Sequence, residues 1–482
     1  MNIKNLKPAA VWEYFYNICQ IPHVSLSTHQ IVDYLKEELE RLGYSPYVDK
    51  ANNIFVRKPA YKGYEKAPVV LLQGHTDMVG SKDPTSQHDF FRDPIKTLIT
   101  DGWVHAKKTT LGADNGIAIA IIMAIFADRS LKHGPLEALL TSDEEIGMVG
   151  IQAFDIKKIQ AKYMINLDNE NDQEICIGCP GNIDVETELF FKRETKSKPH
   201  TTNLRIEVKG GIGGHSGQTI GQKRVNAIKE IFNILNFIRA ECPISLIKID
   251  RSGVAKNNIP YECAAQINVN EADVPKIKKI IDHEFEMIRQ EYSLEKDIQI
   301  ICNPSPIKVL PMSAKDSDLI IGVYAGVPNG VHSFNWKYNV PETSSNLGLM
   351  ETRKNSVWAK FMVRSSYDQA QMRYANRIKF LFNSVGGKAT QTAFVSGWLP
   401  RENDLANIYQ KFYKKTFKKD AKQVLINGGV EPAFVLSKKP EMLGISIGPL
   451  MEEVHTKNER LNIESTQKIY KLLVSFLASL KA

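Results

Sequence analysis

Asp143, Glu144 and Glu145 stand together in 141-TSDEEIGMVG-150, directly after the apolar run Leu136–Leu140 and ahead of two glycines. Alone, an acidic triplet reads as a solvated turn, because charge runs usually mark wet surface. Comparable groups nearby change that reading. His75-Thr76-Asp77 ends 68-PVVLLQG-74, Asp114 lies between glycines in 111-LGADNGIAIA-120, and Asp168 and Glu170 close 163-YMINLDNE-170. Strand periodicity points His75 and Asp77 the same way, so that one can ligate a metal while the other orients it. Asp114 by itself would suit a helix N-cap. A late histidine, His455 in 449-PLMEEVHTKNER-460, follows the strand-like 443-LGISIGP-449. Two divalent cations about 3.5–4 Å apart need roughly two exclusive ligands each, a bridging carboxylate and a base for the water between them. These residues supply that inventory.

Positioning them requires strand ends that meet. The apolar runs at 54-IFVRK-58, 68-PVVLLQGHTD-77, 136-LEALLTS-142 and 163-YMINLD-168 alternate with helical segments, which predicts an α/β domain with a largely parallel, buried sheet. In such sheets, ligands bind beyond the carboxyl ends of the strands. The segment 27-STHQIVDYLKEELERLG-43 predicts a helix with Ser27 and Gln30 in capping-box spacing, and a second helix is expected from about Asn115 to Ala127. From about residue 187 the texture shifts to alternating strands and amphipathic helices, such as 203-NLRIEVKGG-211 before 225-VNAIKEIFNILNFI-238. The predicted organisation is a catalytic domain in two parts, 1–186 and 392–482, with an α+β domain inserted at 187–391. The closing helix 466-TQKIYKLLVSFLASL-480 presents an apolar face to a sheet.

Composition narrows the function classes. The 482 residues are 43% hydrophobic and 24% charged, ordinary values for a globular protein. A net charge of +8, from 62 basic and 54 acidic residues, comes without a nucleic-acid motif, so no nucleic-acid partner is expected. The first twenty residues lack a signal-peptide core, and the longest apolar run, 117-IAIAIIMAIFA-127, is too short to span a bilayer; a cytoplasmic protein without a membrane partner is expected. Six cysteines make no disulfide framework. One pair, 176-CIGC-179, has redox or zinc spacing but no matching further ligands, and structural thiols are expected.

Taken in order, GHTDMV, LGADNG, TSDEEIG, NLD and EVHTKNER resemble the motifs of the di-zinc aminopeptidase-like exopeptidases, across essentially the whole chain. Total length, INLDNE followed by IGCPG, PETSSNLG at 341–348 and VRSS at 363–366 resemble the Xaa-His dipeptidase branch. That resemblance implies a mostly parallel sheet flanked by helices, with an inserted α+β lid domain. It implies that His75 and Asp168 hold one cation, Glu145 and His455 the other, and Asp114 both. Asp77 would orient His75, and Glu144 would be the general base. The cations would be zinc, with manganese or cobalt also compatible with such donors.

The expected substrate is a small unblocked peptide of Xaa-His type. His215, in 210-GGIGGHSG-217, resembles the family's lid histidine; the stretch does not close as a phosphate loop would. Arg364 is the candidate fork for a C-terminal carboxylate, helped by Asn257 or Asn258, with Glu431 also at the substrate. Where the dipeptidase branch would read His-Ala-Gly-Leu-Glu, this chain has 427-NGGVEPAF-434, keeping Glu431 and placing Asn427 at the histidine; Gln218-Thr219 after GHSG also depart. Hydrolysis stays expected, while His selectivity is open. A deacylase of N-acyl amino acids is the nearest alternative, and a silent scaffold would lack the ligands present here. The inserted domain leaves open a homodimer or a site shielded within one chain.

Overall fold

Four short buried strands, Leu136–Thr141, Val70–His75, Tyr163–Asn166 and Leu443–Ser446, lie side by side in that order and run parallel. Such strands need cover on both faces, which is why they read as nearly continuous apolar runs. Ile54–Lys58 and Tyr47–Val48 extend the sheet antiparallel on one side, and Glu174–Cys176 and Lys422–Val424 on the other. Because the four central strands point one way, the residues that follow them leave the same edge of the sheet. This common exit gathers segments that are hundreds of residues apart.

The computed structural model describes residues 2–481, and the chain forms two units. The first comprises Met1–Cys179 and Trp398–Ala482 and contains the eight-stranded sheet. Its helix Ala113–Ala127 is apolar on nearly every side, and it packs against helix Ala9–Cys19 and strand Val70–His75. The approach depends on Gly74: a Cβ there would stand 2.5 Å from the Asn115 side chain and 3.0 Å from Ala118. A second, antiparallel sheet joins Met451–Glu452, Arg460–Asn462, Trp103–Ala106 and Thr97–Thr100.

The second unit, Pro180–Gly397, holds a four-stranded and a five-stranded antiparallel sheet. Helices Ala227–Glu241, Val274–Glu291, Ala314–Gly326 and Asp368–Ser384 share one apolar core with them. The expected cuts at 186/187 and 391/392 fall inside strands Gly181–Phe190 and Lys388–Val395, which pair with each other. The chain enters and leaves this unit along one strand pair, before the change in texture can be read.

One local expectation also needs correction. The helix after 27-STHQ-30 runs His29–Arg41 with Thr28 as its N-cap and no side-chain cap bond, so Ser27 and Gln30 form no capping box. Among the described residues, no helix is long and apolar enough to cross a membrane.

The closing helix Ile463–Ser479 buries Ile469, Leu472, Leu473, Phe476 and Leu477. Phe476 meets Tyr409 edge-on at 5.1 Å between ring centres and Phe412 at 5.8 Å. Phe476→Ala should therefore cost about 3–5 kcal/mol of stability, read as a lower urea midpoint by circular dichroism. Phe476→Leu keeps most of the volume and should lose less than about 1.5 kcal/mol.

Candidate metal centre

Each candidate ligand sits where its strand or helix ends. His75 is the last residue of Val70–His75, Asp168 follows Tyr163–Asn166, Glu144 and Glu145 lie in the turn after Leu136–Thr141, and His455 lies beyond Leu443–Ser446. Asp114 lies near the start of the buried helix, in the first unit with the rest.

Asp114 does not cap that helix. Gly112 occupies the N-cap in the left-handed conformation, φ 72°, and Asp114 and Asn115 depart from helical geometry. Freed from the helix, the Asp114 carboxylate presents Oδ1 to His75 Nε2 at 3.2 Å and Oδ2 to His455 Nε2 at 3.0 Å. Asp168 Oδ1 is 3.7 Å from the same nitrogen of His75, and Glu145 Oε1 is 3.0 Å from His455 Nε2. Two donor groups result, His75–Asp114–Asp168 and Asp114–Glu145–His455, and they share Asp114. Glu144 also approaches His75 and Glu145, as a third group.

The surrounding contacts set these positions. Asp77, fully buried, stands 3.4 Å from His75 Nδ1, whose other neighbour is the Asp77 carbonyl at 3.0 Å. Its carboxylate also accepts from Ser25 Oγ and from the backbone N–H groups of Glu144 and Glu145. Asp77 thus orients the imidazole and pins the acidic turn at once. Asp143 adopts φ 56°, a conformation that Asp tolerates better than most residues, and accepts from the Leu26 N–H at 2.6 Å. The three adjacent acids therefore have separate contacts.

Two residues outside the sequence-based set complete the support. Asn115 accepts from the His75 N–H and donates to the Leu167 carbonyl and to Asp168 Oδ1. Glu459, 2% exposed, accepts from four successive backbone N–H groups, those of Leu111, Gly112, Ala113 and Asp114. Asn115 lies inside LGADNG and Glu459 inside EVHTKNER, but a carboxylate bound to distant backbone leaves no side-chain pattern to read. Proximity to the motif residues was the only available signal.

The electrostatics follow from crowding. Asp114 and Glu145 hold His455 up at about 11. Burial disfavours a charged His75, yet Asp168, Asp114 and Asp77 outweigh it and raise that imidazole well above its ordinary range. Burial drives Asp168 up to about 6 against the pull of His75. Burial likewise raises Glu144 well above the carboxylate range, with Asp168, Glu431 and Glu145 adding to it against His75. Four carboxylates and two imidazoles thus converge, and in the metal-free chain protons on the imidazoles and on the raised carboxyl groups offset the negative charge. Mixed nitrogen and oxygen donors in this arrangement fit divalent cations of the zinc type.

Other candidates fall elsewhere. Glu431 is 1% exposed and accepts from Thr141 Oγ1 at 2.6 Å and from the Gln73 amide through one carboxylate oxygen, and its other oxygen is buried without a hydrogen-bond partner. Its burial raises it to about 7. In the second unit, His215 pairs with Asn258 in a short two-stranded ladder, and Ser216 N–H donates to the Asn257 carbonyl. Burial and then the Arg364 charge lower the His215 pKa. Arg364 is 9% exposed on strand Ser356–Ser365. Cys176 and Cys179 are buried in an apolar cluster with Trp398, and burial pushes the Cys176 thiol up; neither belongs to a metal-capable group among the described residues.

Comparison with known proteins agrees with this chemistry. Residues 71–479 match peptidase family M20/M25/M40. The cytosol non-specific dipeptidase of Escherichia coli (strain K12) is 33% identical over 483 residues, spanning 100% of this chain and 99% of that protein. The crystal structure of aminoacylhistidine dipeptidase from Vibrio alginolyticus superposes with a TM-score of 0.93 at 30% identity, covering 100% of this chain and 98% of that one. Aminopeptidase PepT from Bacillus cereus ATCC 10987 shares the fold, with a TM-score of 0.57 at 16% identity over 98% of this chain and 99% of that one. A centre built from carboxylates and imidazoles at the strand ends, in a chain matched along its full length by such relatives, has one consistent reading: the protein belongs to peptidase family M20/M25/M40 and is a metal-dependent hydrolase of peptide bonds.

Proposed function

We propose that the chain is a dipeptidase for unblocked dipeptides, with Xaa-His substrates such as β-Ala-His among them, working at two divalent cations. The observation that carries this reading is the Asp114 carboxylate, which gives one oxygen to each histidine-containing donor group. His75 and Asp168 would hold one cation, Glu145 and His455 the other, and Asp114 both. Zinc suits the donors, and manganese or cobalt could replace it. Bound there, the cations would acidify the attacking water and polarise the scissile carbonyl.

The chain's own groups do the rest. Asp77 keeps His75 Nδ1 engaged, so that Nε2 faces inward. A carboxylate oxygen of Glu144 takes the proton of the attacking water as the carbonyl carbon becomes tetrahedral, then delivers it to the departing amine nitrogen. Arg364 is assigned to the substrate's C-terminal carboxylate as a two-pronged donor, with Asn257 or Asn258 beside it. Neutral His215 is assigned a hydrogen bond to the developing oxyanion. Glu431, which holds Thr141 and Gln73 through one oxygen, is assigned to the substrate side through the other. A cavity of about 400 Å³ lined by Val24, Met78, Val79, Phe90, Phe91 and Ile146 has Glu145 in its wall, which suits an apolar side chain on the amino-terminal residue.

Three outcomes follow. The zinc-loaded protein should cleave Leu-His and β-Ala-His, with Leu-His ahead of Asp-His, and should leave N-acetyl-His intact. Cleavage of N-acetyl-His alone would make it a deacylase instead, and equal rates on Leu-His and Leu-Gly would remove His selectivity. Glu144→Gln should lower kcat by about 10²–10⁴-fold while both cations remain bound by elemental analysis. Finally, Asp114 and Glu145 hold His455 at about 11 and the carboxylates around His75 raise it despite its burial, whereas a ligating imidazole must be neutral. Zinc binding at pH 7 should therefore release protons, seen as buffer-dependent calorimetric heats, and affinity should rise with pH.

A further inference from the structure

We propose that Glu459 is a positioning residue that fixes the Asp114 loop relative to His455, and thereby sets how tightly the second cation is held. The inference rests on the metal-centre reading above and concerns a residue that touches neither cation nor substrate in that reading.

The argument begins with what the loop lacks. Leu111–Asp114 leads into the apolar helix, so its N–H groups are the donors that no preceding helical turn can satisfy. Buried donors without partners cost about 1–3 kcal/mol each. Here Glu459 Oε2 accepts from Leu111 at 2.7 Å and from Gly112 at 3.1 Å, and Oε1 accepts from Ala113 at 2.8 Å and from Asp114 at 3.2 Å. The left-handed Gly112 turns these four amides toward one point, forming a backbone cradle for an anion. A side chain at 112 would also collide with the Met78 sulfur, 2.8 Å from a Cβ there.

The carboxyl group that fills the cradle, pushed up to about 7 by burial and Asp114 against the pull of the loop amides, comes from the segment that also carries His455. Glu459 stands four positions after His455, and its N–H returns to the Thr456 carbonyl. Next to Glu459, strand Arg460–Asn462 pairs with Trp103–Ala106. A single carboxylate therefore ties the loop bearing the shared ligand to the turn bearing an exclusive one. His455 needs such a tie: its side chain is 47% exposed, against 1% for His75, and its backbone has φ 64° in the left-handed region. Burial and four packed strands place His75, whereas His455 relies on the short segment that Glu459 anchors.

The position demands a carboxylate. A glutamine could accept from one pair of amides through its oxygen, but its NH₂ would face the other pair, donor against donor. Aspartate keeps both acceptors on a side chain one carbon shorter.

The test is zinc binding by the full-length chain in chelator-buffered zinc at 25 °C, with zinc counted by elemental analysis, for the parent, Glu459→Gln and Glu459→Asp. The parent should bind two zinc ions. In Glu459→Gln one of the two should bind at least tenfold more weakly, so that the count falls from two to one at limiting free zinc, while the metal-free variant still unfolds cooperatively. Glu459→Asp should lie between. Should Glu459→Gln not fold, Glu459→Asp and hydrogen exchange of the parent decide: amides 111–114 of the metal-free parent should exchange far more slowly than an open loop. Parental zinc affinity in either folded variant, or open-loop exchange at 111–114, would overturn the proposal. A parent that binds no zinc would instead overturn the metal-centre reading, so the two failures are distinct.

Discussion

The structure depends on holding four carboxylates and two imidazoles within a few ångströms of each other in a largely buried place. Like charges at such separations oppose one another, and burial adds to the cost of each. Two features make the arrangement tenable. Parallel strands deliver His75, Asp168 and the Glu144–Glu145 turn to one edge, while the start of helix Ala113–Ala127 brings Asp114 and the turn before Arg460–Asn462 brings His455. A layer of fixed polar partners then takes up the remaining valences: Asp77 receives Ser25 and the Glu144 and Glu145 amides, Asn115 bridges His75 and Asp168, and Glu459 receives the Leu111–Asp114 amides. The neighbouring carboxylates raise both His75 and His455, so cations at the same place would compete with protons for the two imidazoles.

This arrangement explains what could and could not be read along the chain. Strands Val70–His75, Leu136–Thr141 and Tyr163–Asn166 were legible because full burial makes them apolar runs, and each ends in a chemically capable residue, a contrast visible in one dimension. Resemblance to a peptidase family, the α/β fold and peptide hydrolysis followed from those contrasts and hold in three dimensions. The division of labour between Glu144 and Glu145 was not legible from spacing, because adjacent residues in a turn carry no periodicity; it came from the family resemblance. The capping box at Ser27 failed for a related reason: the chain just before that helix is engaged elsewhere, with Ser25 bonded to Asp77 and Leu26 to Asp143. Local propensity yields where a site recruits the same backbone.

Long-range polar support was the least legible part. Glu459 and its amide partners lie almost 350 residues apart, and Glu431 meets Thr141 and Gln73 across similar distances. A buried carboxylate paired with backbone or with small hydroxyls looks, in sequence, like any surface glutamate. Glu431 shows the consequence, since its bonds to Thr141 and Gln73 could not be read from its motif position. The unit boundaries were displaced for a different reason: strands Gly181–Phe190 and Lys388–Val395 belong wholly to the inserted unit, and the predicted cuts fall inside them because composition has not yet changed there.

Chemistry and specificity are therefore encoded at different depths. Every proposed cation ligand and the base belong to the unit of Met1–Cys179 and Trp398–Ala482, and each stands in a short motif. That centre would serve a dipeptidase and a deacylase alike, because both reactions present the same carbonyl to the same water. What separates them is how the substrate's termini are received. In the other unit burial, and after it the Arg364 charge, lowers the His215 pKa. Selectivity at the amino end then falls to surfaces such as the apolar cavity beside Glu145, built from residues 24, 78–79, 90–91 and 146, which no compact motif unites.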